Sequence, residues 1–222
     1  PSFLSELPTE ADAPTIAHAL ARWLLGGLTA ELRANPALWD LPTEVDDLAE
    51  ALRQLADHLA TLVREAPGAP AERLARILVR SELPVSAVVS GPGDEVVRVT
   101  GRIDALYERA SRQLDLVEYK LTDESRADLD RAQAALYRFL LAETEARDST
   151  PVILRFLPGL QSTRLTTAES DALLHDLVLP LVGKMPGWLP VGASVPGPTQ
   201  RDLCAACPVR EACVESFPEI LP

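Results

Sequence analysis

LDLVEYKLTD, residues 114–123, decides how the rest of the chain is read. Leu114, Leu116, Val117 and Tyr119 suit a buried strand. Glu118 and Lys120 interrupt that strand two positions apart, so their side chains leave the same face. An acid and a base on one face of an apolar strand need a cause. The bland one is a cross-strand salt bridge, worth little at a surface.

Working outward, LPVSAVVS (83–90) and VVRVTGRIDALYER (96–109) are rich in Val, Ile and Tyr, with breaks at GPGD (91–94) and RASRQ (109–113). With 113–121 they read as three strands in meander order. Ser125 with Asp128 resembles a capping box, and 126–147 reads as a helix. PVILRFLP (151–158) is a fourth strand, QSTRLT (161–166) a fifth, and 167–185 a helix. Upstream, Asp12 caps a helix with Pro14 in its first turn. Its Ile16, Leu20, Trp23, Leu24, Leu28 and Leu32 recur at helical spacing until Asn35-Pro36 interrupts it. A second helix runs over 43–66, then APGAP, then a short helix over 72–79. The order predicts an α/β core with a helical preface. An N-terminal helical segment (1–82) precedes the core (83–186), and a Pro/Gly-rich tail (187–222) carries cysteines, all in one structural domain.

The 222 residues are 47% hydrophobic, without a low-complexity run, a signal peptide or a stretch able to span a bilayer. Three cysteines are an odd count, which points to a reducing cytoplasm rather than a disulfide scaffold. The first residue is Pro rather than Met, so the chain reads as a processed form or a piece of a longer protein. A net charge of −12 argues against a generic nucleic-acid coat. The excess is uneven, however: 1–66 holds eleven acids against four Arg, whereas 98–138 holds eight of each sign. That middle segment retains room for a local basic groove.

Asp104, in GRID, ends the apolar part of the strand before Glu118. A short turn would bring Asp104 beside Glu118, giving two carboxylates and one ammonium in a small volume. Partial burial leaves an uncompensated negative charge, which a hard divalent cation resolves. On the next helix Gln133 and Tyr137 are four apart and share a face. Glu82 is a second candidate acid, and Arg102, on the Asp104 face, stays unassigned. His58 and His175 read as ordinary helix residues, and GPGD as a turn.

Gly101–Asp104 (G-R-I-D), Glu118–Lys120 (E-Y-K) and Gln133–Tyr137 (Q-A-A-L-Y), in this order and spacing, resemble the RecB-like branch of the PD-(D/E)XK nucleases. That branch has a His on an early helix, and PTIAHALARWLL offers His18, with Pro14 where the family has Gly. The resemblance implies a restriction-endonuclease-like core, a mixed central sheet flanked by helices. It implies that His18, Asp104, Glu118 and the Tyr119 carbonyl bind Mg²⁺ or Mn²⁺, and that Lys120 orients or stabilises the attacking hydroxide. Gln133 and Tyr137 would contact the nucleic-acid strand. The reaction would be phosphodiester hydrolysis with one or two metal ions.

Cys204, Cys207 and Cys213 fall within ten residues, as C-x₂-C-x₅-C. Such spacing suits zinc or an iron–sulfur cluster. Iron–sulfur members of the resembled family, including AddB-type subunits and CRISPR-adaptation nucleases, carry a C-terminal triplet plus one Cys before the early His. Four such ligands hold a 4Fe–4S cluster. This sequence lacks the upstream Cys, so a ligand lost before Pro1, a replacement ligand, zinc, or an empty site all stay open.

The expectation is a metal-dependent deoxyribonuclease acting on single-stranded DNA or DNA ends, in repair, recombination or phage defence, with a helicase or other nuclease subunit as partner. The alternative is a non-catalytic DNA-binding or structural domain of the same fold. The presence of Asp104, Glu118, Lys120, Gln133 and Tyr137 together favours the enzyme.

Overall fold

β3 (Leu114–Lys120) is the middle of a five-stranded sheet of order β1-β2-β3-β4-β5. The computed structural model describes residues 5–90, 96–121 and 127–184. β1 (Leu78–Ser90), β2 (Val96–Glu108) and β3 form an antiparallel meander. β4 (Thr150–Arg155) pairs parallel to β3, and β5 (Gln161–Arg164) antiparallel to β4. A parallel pair needs a crossover, and α4 (Ala127–Glu145) supplies it.

Helices cover both faces of β3, which is why it reads as a nearly continuous apolar run. Val117 and Tyr119 point to one side, where Ile16, Leu20, Leu55, Leu59 and Val63 of α1 (Ala13–Ala34) and α2 (Pro42–Glu65) pack, with Leu74 and Ile77 of α3 (Pro70–Ile77). Leu116 points to the other side, against Leu140 and Leu141 of α4. The edge strand β1 buries alternate residues only. It also holds Pro84, which an edge tolerates because one ladder there has no partner strand.

The predicted mixed sheet with helical preface is therefore the observed architecture. Asp12 caps α1 as expected, its Oδ1 accepting from the Thr15 N–H at 2.9 Å. The capping box expected at Ser125 lies outside the described residues, as does the cysteine tail. Three details differ from expectation. β1 begins at Leu78, not at residue 83, because Leu78 to Ser81 already pair with Tyr107 to Ala105 of β2. These residues carry no clean alternation, and Glu82 just after them has a positive φ of 53°. Trp23, placed on the apolar side of α1, is 52% exposed. The buried residues of α1 are Ile16, Ala17 and Leu20, and none lies in its later turns. The last helix is three segments: α5 (Thr167–Leu173), a π turn (Leu174–Val178) and α6 (Leu179–Lys184). Among the described residues, no helix is long and apolar enough to cross a membrane.

Candidate active site

The β2–β3 ladder runs from Glu108↔Leu114 to Ala105↔Val117 and then stops. At the next step two side chains replace it. The Tyr119 N–H donates to Asp104 Oδ2 at 2.8 Å, and the Asp104 N–H to Glu118 Oε1 at 3.4 Å. Each strand thus lends a carboxylate to the other's backbone. The part-buried amides there find partners, and the two acids are fixed side by side. In a strand the carbonyl points the way of its own N–H, so the Tyr119 carbonyl looks toward Asp104. Its phenol leaves the opposite face and meets the Tyr107 hydroxyl at 2.5 Å, with Phe156 edge-on.

Lys120 projects from the Glu118 face of β3. Its Nζ donates to Gln133 Oε1 at 2.8 Å and stands 3.6 Å from Glu118 Oε2. The Gln133 amide donates to Tyr137 Oη at 3.0 Å and to Glu118 Oε2 at 3.4 Å. The same α4 stripe, one turn earlier, brings Asp130 to 4.0 Å from Lys120. The Tyr137 ring lies against Gly101 of β2. A Cβ at Gly101 would stand 2.5 Å from its Cε1, a distance real Cβ atoms do not reach. The glycine of GRID is thus the space in which the tyrosine sits.

Glu118 is only 1% exposed. Burial raises its pKa to about 7, neighbouring Asp104 adds to the rise, and Lys120 offsets part of it. Asp130 is matched by Arg155 at 2.6 Å, so one ammonium is left for two carboxylates. The excess negative charge in a mostly buried space is what a divalent cation would relieve. Two carboxylates and a carbonyl suit Mg²⁺ or Mn²⁺, which complete their shells with water and substrate phosphate. They do not suit a closed structural zinc site.

The structure brings together Asp104, Glu118, Tyr119, Lys120, Gln133 and Tyr137. His18 is exposed on α1, whose Ile16, Ala17 and Leu20 take the buried side. Among the described residues, no three His, Cys, Asp or Glu side chains cluster as metal ligands. Cys204, Cys207 and Cys213 lie outside the described residues. Glu82 pairs with Arg102 at 3.5 Å, both exposed. His58 is half-buried and His175 is exposed, in keeping with ordinary helix residues.

Two participants escaped sequence reading, Asp130 and Arg155. Both left a signal. Asp130, Gln133 and Tyr137 share one helical stripe, and Arg155 interrupts an apolar strand as Glu118 does. A third signal is compositional. Of 21 basic residues, only Lys120 and Lys184 are lysines. In a chain that otherwise uses arginine, a lysine inside an apolar strand marks a place for a compact point charge.

The model of the PD-(D/E)XK nuclease superfamily matches residues 5–214. No curated protein matches in sequence. Among solved structures, the crystal structure of SSO0001 is similar at 14% identity and a TM-score of 0.39, over 85% of this chain and 96% of that one. A candidate exonuclease from Eubacterium rectale is similar at 10% identity and a TM-score of 0.38, over 91% and 83%.

Proposed function

The chain belongs to the PD-(D/E)XK nuclease superfamily, and from that premise we propose that it hydrolyses DNA phosphodiester bonds, in single strands or at ends, with Mg²⁺ or Mn²⁺. The observation that carries this reading is the crossed pair of carboxylates, Asp104 and Glu118, with Lys120 beside them and one negative charge in excess. Asp104, Glu118 and the Tyr119 carbonyl would hold the cation, which would acidify a water and offset charge at phosphorus. Lys120 would face the incoming nucleophile and the anionic phosphorane oxygens, where a preorganised charge lowers the barrier. Gln133 keeps the Lys120 ammonium at that place, and Tyr137 fixes the amide of Gln133. Those two side chains also form the α4 wall along which a strand would lie. An acidic protein can still track a single strand by such a local groove.

The test is cleavage of labelled single-stranded DNA with Mg²⁺ or Mn²⁺, against a chelator control. Asp104→Ala and Lys120→Ala should each abolish it. Full activity in both variants would remove the assignment. Tight binding with no cleavage under either ion would instead support a non-catalytic DNA-binding domain.

A further inference from the structure

We propose that Asp130 and Arg155 form a buried positioning pair that keeps the Lys120 ammonium on its Gln133 and Glu118 side. This rests on the reading of Lys120 as a working group of the site. Asp130, on α4, and Arg155, on β4, are 8% and 3% exposed. The guanidinium donates to Asp130 Oδ2 at 2.6 Å. The parallel register sets Arg155 directly beside Lys120, so both side chains enter the space under α4. Asp130 Oδ1 lies 4.0 Å from the ammonium.

Lys120 has two carboxylates within 4.0 Å, yet its shortest bond, 2.8 Å, goes to a neutral amide. Arg155 accounts for this. A guanidinium that never loses its proton occupies Asp130, so that acid does not draw the ammonium to itself. Without Arg155, three acids would face one cation, and a buried unpaired carboxylate takes the nearest one. Stability alone does not explain such a pair, because buried ion pairs are often replaced by apolar groups at little cost.

Arg155→Gln removes the charge but keeps a hydrogen-bond donor for Asp130. The chain's two lysines make its effect directly visible. In lysine-labelled protein carrying Lys184→Arg, an exposed position, the one remaining lysine signal is Lys120. Arg155→Gln should move that signal. It should also lower kcat on single-stranded DNA by about 10- to 100-fold with KM changed less than about twofold. Asp130→Asn combined with Arg155→Gln should bring the signal back and recover most of kcat, because the site then has the parent's balance of two carboxylates and one ammonium again. If Arg155→Gln does not fold, Arg155→Met carries the same expectations. A Lys120 signal unmoved by a folded variant overturns the proposal, as does a double variant no better than the single one. If the parent cleaves nothing, the nuclease reading falls, while the lysine signal still decides the positioning.

Discussion

At pH 5 a carboxyl group as buried as Glu118 keeps its proton. Its pKa is about 7 in the folded chain against 4.5 ordinarily, so between those values the folded state holds a proton that the unfolded state has lost. Stability without metal therefore falls as pH rises from about 4.5 to 7, by on the order of 3 kcal/mol from this group. Glu118→Gln should flatten that dependence and be the more stable protein at pH 8, by urea denaturation in a chelator. A variant that loses stability across the same window as the parent would refute this. Gly101 is a second residue whose surroundings make a prediction. Gly101→Ala drives a Cβ into the Tyr137 ring and should cost about 1–3 kcal/mol. Cleavage should fall with it, because Tyr137 holds Gln133. In a Tyr137→Ala background the same change should be nearly neutral, a coupling that a double-mutant cycle reads directly.

α4 carries the site on one face and its support on another. Asp130 and Gln133 look toward β3 and Tyr137 toward β2, while Arg131 and Arg138 reach α5 through Glu169 at 3.2 Å and Asp171 at 2.7 Å. α5 is held in turn by a capping box. Thr166 Oγ1 accepts from the Glu169 N–H, and Glu169 accepts from the Thr166 N–H at 2.8 Å. Thr166→Ala should cost about 1 kcal/mol in chemical denaturation. At this scale the sequence was legible wherever an element has one periodicity and a punctuated end. α1 and α4 show it, and turn residues bound the strands that lack an alternation of their own. The start of β1 was not legible. Leu78 to Ser81 are strand only because β2 lies alongside, and no local alternation reports a neighbour. Nor did the apolar spacing of α1 show that its burial ends at Leu20, since the edge of the sheet is not written in the helix.

Over the whole molecule, β2, β3 and α4 meet in the candidate site, and a cation held there would link β2 to β3. Millimolar Mg²⁺ or Mn²⁺ should therefore raise the melting temperature of the parent. At about 100 times Kd the gain would be about 2.7 kcal/mol. Asp104→Ala should lose that response, and a chelator should reverse it in the parent; an unchanged parent would count against a cation site. The chain by itself determined the order of elements and the α/β class, because period and turn residues are local facts. It offered Asp104, Glu118, Lys120, Gln133 and Tyr137 as site candidates through charges that interrupt apolar strands and through the resemblance of their ordered motifs. Only the tertiary structure decided which charges share a space. It ended the β2–β3 ladder at Ala105, so that two carboxylates cross between strands. It set Arg155 beside Lys120 through a parallel register, and it left His18 on an exposed side of α1. Those are outcomes of pairing and packing between segments far apart in the chain, and no single segment contains them.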